Sequence, residues 1–469
     1  MEAPQVSTKN EFSSLFQSHQ KTAMMLKKGT ITERKGKLIG LKDWLLDHQH
    51  ELHQAEYLDL KKPEDEVNVT ELYPLIAEAR HAISHLDEWT TPQPIRSSMT
   101  FFGTRAFVHY EPKGTALIIS PWNYPLLLAL GPMISAIAAG NTVILKPSEF
   151  TPATNKVILK MVHDLFDHNE IQVIEGEAEV SASLLELPFD HIFFTGSPQV
   201  GKIVMTAAAK HLTSVTLELG GKSPTIVDET ANIKDAAAKL SWAKWTNAGQ
   251  TCVAPDYLFI HESKKEDFIN AYKDATLKMY GDKKSYTSII NVKHYHRIEE
   301  TLQDALNKGA NVIISGNNSP EELDIQPVVI DNVTDEMRVM KEEIFGPVFP
   351  IMTYQNLDEV IDYINARPKP LALYLYSKNR KNKKKVLQET SSGALVYNDS
   401  VLHFGHPHLP AGGVNNSGIG KAHGHAGFLA FSHEKSVLSQ QIGLTVASTV
   451  RPPYSKLKKK LIQFMLKYL

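Results

Sequence analysis

Between Gly114 and Leu145 the chain carries no charged residue. A run of that length is enough to cross a bilayer. Yet Pro121, Pro125 and Pro132 interrupt it, and Trp122-Asn123 and Gly140-Asn141-Thr142 punctuate it. Lipid offers no partners for the backbone groups that three prolines would free. The run is better parsed as a buried strand at Ala116–Ile119, a proline-rich loop, a buried helix around Leu126 to Ala139 and a strand at Val143–Leu145. Strands apolar on both faces belong in a parallel sheet covered by helices on both sides.

The same alternation extends downstream. Val173-Ile174, His191–Phe194 and Val215–Leu217 read as further strands, with helices between them, up to about Leu219. A second alternation follows Cys252, with strands expected at Tyr257–Ile260, Val312–Ile314, Val328–Ile330 and Ala372–Tyr376. This predicts an α/β fold with parallel, doubly wound sheets. Upstream, the first ninety residues read as polar and amphipathic helices, charge-rich at Leu38 to Leu52 and Glu71 to Leu86. Thr91-Pro92-Gln93-Pro94 marks a break, and Phe101–Tyr110 is aromatic and β-branched enough for a strand, as a hairpin arm. At the other end, Tyr454 to Leu469 sets Leu457, Leu461, Ile462, Phe464, Met465, Tyr468 and Leu469 at helical spacing. Lys456, Lys459, Lys460 and Lys467 face away from them and Lys458 intrudes at the edge. This basic, imperfectly amphipathic helix is expected to dock on the body or a partner subunit, with peripheral membrane contact as the second option.

At 469 residues two or three domains are expected. A net charge of −2 gives no global reason to expect nucleic acid as a partner. The polar stretch Met1 to Glu11 lacks the order of a signal peptide. With a single cysteine no internal disulfide can form and no thiolate metal cage can be built, so a cytoplasmic location is expected. His403, His406, His408, His423 and His425 sit on a Pro/Gly-rich loop without a ligand framework, and no metal is expected.

The sole cysteine ends the stretch Asn247-Ala248-Gly249-Gln250-Thr251-Cys252. A lone thiol is either a small buried hydrophobe, the commoner case, or a nucleophile. Gly249 permits a tight turn, and Gln250-Thr251 suits neither a core strand nor a helix interior. That context favours a nucleophile, whose pKa neighbouring donors or positive charge would lower.

Other segments are weaker singly. Phe194-Thr195-Gly196-Ser197-Pro198-Gln199-Val200-Gly201 follows an expected strand and opens a helix, where glycines let the backbone approach a phosphate. Its spacing departs from the G-x-G-x-x-G fingerprint, and a plain strand-to-helix turn explains it as well. Lys146-Pro147-Ser148-Glu149 ends a strand at the edge where nucleotides bind, or is a solvated loop. Leu217-Glu218-Leu219-Gly220-Gly221-Lys222-Ser223-Pro224 sets a carboxylate between apolar residues. Desolvation would raise its pKa toward that of a general base, although a structural carboxylate bonded to backbone amides fits equally. Glu342-Glu343-Ile344-Phe345-Gly346-Pro347-Val348 joins an acidic pair to a turn, for which a surface helix cap is the ordinary explanation. Leu409 to Gly418 is a loop long enough to line a pocket.

Together these segments resemble the aldehyde dehydrogenase superfamily from about Phe101 to Ser436, in wording closest to its class 3 and fatty-aldehyde branch. The resemblance is carried by Phe194 to Gly201, Thr206 to Leu212, Leu217 to Pro224 and Gly249 to Tyr257. It implies a Rossmann-like cofactor domain (1–93 and 113–218), an α/β catalytic domain (219–417), a small β bridging or oligomerisation element (94–112 and 430–446) and a C-terminal helix (447–469). It further implies that Cys252 attacks an aldehyde carbonyl, that Asn123 donates to the oxyanion beside the Cys252 backbone N–H, and that Glu218 activates the hydrolytic water. Trp122, Thr195, Gly196, Ser197, Gly201, Leu219 and Gly220 would border the cofactor. Lys146 and Glu149 would hold its adenosine ribose, Glu343 its nicotinamide ribose, and Phe345 would pack beside the ring. The expected cofactor is NAD with NADP tolerated, the substrate a medium- or long-chain aliphatic or aromatic aldehyde, and the assembly a homodimer. One departure is Ala411, where the family usually has an aromatic residue between proline and glycine. The rivals are a coenzyme A-acylating dehydrogenase or acyl-phosphate reductase, whose members tend to lack the glutamate at Glu218, and a catalytically silent protein on the same fold.

Overall fold

The structure, a computed structural model, describes residues 8–96, 98, 101, 103–282, 286–443 and 445–468. Residues 1–7, Phe102 and Leu469, which entered the expectations above, lie outside them. Among the described residues three sheets organise the chain. The first centres on Thr115–Ile119, with Thr142–Lys146 and Ile171–Val173 to one side and His191–Gly196 and Ser214–Leu219 to the other, all parallel. Gly418–Ile419 adds a short antiparallel edge that sets Gly418 opposite Glu218. Every residue of Thr115–Ile119 and Thr142–Lys146 is buried, as apolar strands covered on both faces must be.

The charge-free run is core. Its helix, Pro125–Ala139, starts on a proline whose missing N–H is harmless in a first turn. It accommodates Pro132 and stops at Gly140 in left-handed backbone, φ +89°. All of it except Gly131 is buried. Helices Ile31–Asp47, Gln49–Leu60 and Tyr73–Thr90 press Leu38, Leu41, Leu52, Leu75 and Ala79 into the same cluster. A short π-helical turn, Asn68–Leu72, precedes the third and carries Glu71. Among the described residues no helix is long and apolar enough to cross a membrane.

The second sheet runs Asn311–Ile314, Val328–Asp331, Val348–Tyr354, Tyr257–His261, Pro224–Val227, Ala372–Tyr376, Ala394–Tyr397, parallel except for its first pair. The third is antiparallel and corrects one expectation. The strand read at Phe101–Tyr110 spans Thr104–Pro112 instead, entered through Gly103 at φ +87°. It lies in the middle of three strands, between Gln93–Ile95 and Ser432–Gln440. The last helix is shorter than expected, Lys456–Tyr468, and no residue in it is buried. Leu457 and Phe464 are 78% and 54% exposed, so within one chain its apolar face stays uncovered.

Candidate active site

Helix Ile233–Trp245 leads into a tight turn, Thr246–Gly249, where Asn247, Ala248 and Gly249 take φ of +53°, +50° and +72°. Left-handed backbone is costly for residues with a Cβ. At Gly249 a Cβ would also collide with the Gly346 carbonyl oxygen. Glycine therefore lets the cysteine loop lie flush against the turn carrying Glu343 and Phe345. Hydrogen bonds hold the strained segment. The Asn247 backbone N–H donates to Glu66 at 2.8 Å, and its side-chain amide donates to the carbonyls of Asn123 (2.7 Å) and Gln250 (3.1 Å). The Gln250 side chain donates to Asn247 and Ser288 carbonyls and accepts from the Ile290 N–H.

Asn123 approaches the cysteine loop from the other sheet. Its side-chain amide donates to the Gln250 carbonyl at 2.9 Å. An amide nitrogen has two protons, and among the described residues nothing else accepts the second. Behind it lies a buried charged cluster. Lys62 is ion-paired with Glu71 and, at 3.2 Å, with Glu56, and reaches the Asn123 carbonyl at 3.5 Å. The other oxygen of Glu71 accepts from the N–H groups of Leu126 (2.9 Å) and Leu127 (3.1 Å), capping the start of helix Pro125–Ala139. The loop Pro121–Pro125 is thus anchored from behind.

A cavity of about 950 Å³ brings together Trp122, Asn123, Thr195, Gly196, Ser197, Glu218, Leu219, Gly220, Cys252, Glu343 and Phe345. A second cavity of about 30 Å³, bordered by Leu127, Leu128, Phe404 and His423, also touches Cys252 and Glu218. Lys146, Glu149 and Gly201 are not among the residues lining the large cavity. Lys146 and Glu149 pair with each other at 3.1 Å where strand Thr142–Lys146 ends. Gly201 packs against Leu219, whose side chain a Cβ would meet at 2.7 Å, so this glycine serves close helix–strand packing. Ser197 caps helix Pro198–Ala209 by accepting from the Val200 N–H. Gly220 is flush with Glu343, whose carboxylate would collide with a Cβ there.

Two carboxyl groups of the cavity, Glu218 and Glu343, hold their protons more tightly than an ordinary carboxyl. Glu218 is buried, and among the described residues neither of its oxygens has a hydrogen-bond partner. Burial pushes its pKa up to about 8, against a smaller opposing pull from Lys421. Glu343 is also pushed up to about 8, first by burial and then by Asp256, against the Gly221 N–H, Lys222 and Arg297. The thiol departs from the sequence expectation. Burial, then Glu343 and Glu218, push the Cys252 pKa up to about 12, and the N–H groups of Cys252 and Val253 offset only part of this. The physical reason is first the desolvation of the thiol, to which the two nearby carboxyl groups add.

Several residues in this arrangement were not singled out from the sequence. Lys222 bonds Asp256 and the carbonyls of Val339 (2.7 Å) and Glu342 (2.9 Å), while Asp256 accepts from the Ile344 N–H at 3.0 Å, fastening the Glu343 turn. Arg297 donates to the Phe345 carbonyl at 3.1 Å. Lys222 and Asp256 sit inside quoted motifs, which was the available signal. Lys62, Glu66 and Glu71 carried none. Of the five histidines, His408 packs against His81 and lies 6.0 Å from the His406 ring, His425 packs against Trp89, and His423 neighbours His403. Ala411 is buried and bridges Ala422 through paired backbone hydrogen bonds.

Comparison with known proteins places this architecture. A model described as the aldehyde dehydrogenase family matches residues 2–437. Aldehyde dehydrogenase family 3 member B3 of Mus musculus is 41% identical over 440 residues, 93% of this chain and 91% of that protein. A substrate-bound structure of AldH from Staphylococcus aureus superposes with a TM-score of 0.93 at 42% identity, covering 97% of this chain and 99% of the other. An NAD+ complex of an aldehyde dehydrogenase from Bacillus cereus gives 0.84 at 28% identity, covering 92% and 89%. The chain belongs to the aldehyde dehydrogenase family, with class 3 members among its relatives, and is an oxidoreductase that converts aldehydes to acids.

Proposed function

We propose that the chain oxidises medium- or long-chain aliphatic or aromatic aldehydes with NAD, through a thioester on Cys252. The observation that carries this is the convergence on one cavity of the only thiol with an Asn123 N–H and a Glu218 carboxyl that have no partner among the described residues. Cys252 adds to the aldehyde carbonyl, its proton leaving to a neighbouring carboxylate. Asn123 donates to the resulting oxyanion, a contribution of roughly 10²–10³ in rate. Once the thiohemiacetal carbon has given up its hydride, which a bound nicotinamide would accept, Glu218 takes a proton from water as the water attacks the resulting thioester. The C–S bond breaks and the acid departs.

The cofactor site is tested by what the residues form. A cavity of this volume is of the size that takes small molecules and cofactors. It opens on the amino-terminal end of helix Pro198–Ala209, suited to phosphate, and Gly220 keeps space for the Glu343 carboxylate at its rim. Bound there, a nicotinamide dinucleotide would supply the hydride acceptor. Glu343 would hold the nicotinamide ribose and Phe345 the ring edge; Lys146 and Glu149 would hold the adenosine ribose. Glu149 would disfavour a 2′-phosphate, so NAD is preferred and NADP accepted less well.

As part of the same proposal, residues 1–93 and 113–218 form the cofactor unit, 219–417 the catalytic unit, and 94–112 with 430–446 the bridge of a homodimer. The uncovered face of Lys456–Tyr468 packs near the partner and the substrate entrance, or meets an anionic membrane from a cytoplasmic position. The carboxylate of Glu218 beside the thiol favours hydrolysis over transfer to coenzyme A.

Initial rates over an aldehyde chain-length series with NAD and with NADP test this reading. Cys252→Ala should lose all aldehyde-dependent reduction while still binding NAD, and a chain ending at residue 450 should shift the length preference or the dimer equilibrium. Retained oxidation in the alanine variant sinks the mechanism, equal kcat/KM with NADP sinks the role of Glu149, and an unchanged truncated enzyme sinks that of the tail.

A further inference from the structure

Lys421 is a cation with no assigned work. Among the described residues it makes no ion pair with a carboxylate. Its ammonium donates to the carbonyl of Gly412 at 2.6 Å and reaches that of Gly413 at 3.4 Å. Gly412 is also the contact of Glu218: a Cβ on it would lie 3.0 Å from a Glu218 carboxylate oxygen and 3.0 Å from the Lys421 stem. Gly412, at φ +143°, therefore separates the two side chains by little more than its own backbone. The strand pair Gly418–Ile419 on Leu217–Glu218 fixes the spacing, because it ties the Lys421 segment to the Glu218 strand.

From this placement we infer that Lys421 is a positioning residue for the hydrolytic step, acting through the loop Pro410–Gly413 to ease ionisation of Glu218 and keep its carboxyl group aimed at the thioester. The inference rests on the reading of Glu218 as the base. Glu218 receives no hydrogen bond from the described residues, so nothing else compensates its negative charge. The other groups facing it do not help. Cys252 and Glu343 are acids, and burial holds His423 neutral with a pKa near 4. Thr195, its register partner on the adjacent strand, is uncharged. A cation behind one glycine is then the field that lowers the cost of ionising Glu218, and the effect is electrostatic because Lys421 lines neither cavity.

The test separates the two half-reactions across pH. In Lys421→Met and Lys421→Gln the first burst of NADH should keep its amplitude, while the acid limb of steady-state turnover moves up by about one pH unit, roughly a tenfold loss at neutral pH. Turnover should recover at high pH, and Lys421→Arg should return the limb to its original place. An unmoved limb in both uncharged variants overturns the inference. So does an equal loss at every pH that Arg fails to rescue, which would mark a purely structural lysine. Glu218→Gln distinguishes failure of the underlying reading: if it keeps wild-type turnover, Glu218 is not the base, whereas if it is inactive and the lysine variants are unshifted, only the role of Lys421 falls.

Discussion

Glu71 and Glu218 are both buried glutamates, and each lies next to a segment that shapes the large cavity, but their surroundings are opposite. Glu71 accepts two backbone N–H groups at the start of helix Pro125–Ala139 and is ion-paired with Lys62. Glu218, equally removed from water, accepts none. A carboxylate whose lone pairs are all engaged resists change and holds other groups in place. One that is desolvated and unengaged holds a proton near neutrality and has room for water. Burial alone does not mark a base. Burial with unmet hydrogen-bonding capacity, on the wall of the cavity that holds the thiol, does.

The largest expected effect breaks the reactive side of that contrast. Glu218→Gln should keep the first burst of NADH but lower steady-state turnover by roughly 10²–10⁴-fold, as loss of a general base does. Pre-steady-state absorbance shows this directly, and wild-type turnover would mean another group activates water. On the structural side, Lys62→Met strands Glu56 and Glu71 without their cation and should cost about 3–5 kcal/mol, because breaking a buried pair leaves uncompensated charge. Denaturant unfolding measures it; a loss below about 1 kcal/mol, the range of surface pairs, would show that the cluster is not what anchors the Pro121–Pro125 loop.

The smallest effect is a pH dependence. The folded pKa of Glu218 lies above its unfolded value, so folding binds this proton more tightly. Wild type should therefore lose stability relative to Glu218→Gln as pH rises from the ordinary carboxylate range toward about 8, and the difference should level off above it. The expected gap is on the order of 2 kcal/mol, allowing for water in the cavity. A gap of the opposite sign would mean that the folded carboxylate is better solvated than its geometry indicates.

Much of the framework was legible because it is local. Ala116–Ile119, Val143–Leu145, His191–Phe194 and Tyr257–Ile260 are compact apolar runs bounded by loops, and the structure has strands there. Two short strands, Pro224–Val227 and Gly418–Ile419, went unread because two to four positions carry no usable period. Asn311–Ile314 and Val328–Asp331, similarly short, were betrayed by their runs of valine and isoleucine. Thr104–Pro112 was displaced because Gly103, a turn residue, lay inside the aromatic run that suggested a strand. The segments around Glu218 and Cys252 stood out because each couples a reactive side chain to turn residues over a few positions, whereas the role of Asn123 came only through the family resemblance.

The sequence by itself determined the alternation of strands and helices, the single thiol and the reactive side chains next to turn residues, since these depend on neighbours in the chain. Tertiary structure decided that those side chains face one cavity, that Lys146 and Glu149 lie outside its walls, and that Gly201 packs on Leu219. It also decided that the Cys252 thiol is held in its protonated form, that Lys62 and Glu71 brace Asn123, and that Lys421 stands behind Glu218. The reason is physical: desolvation and Coulomb energy depend on distance through the folded protein, and residues far apart in the chain set both.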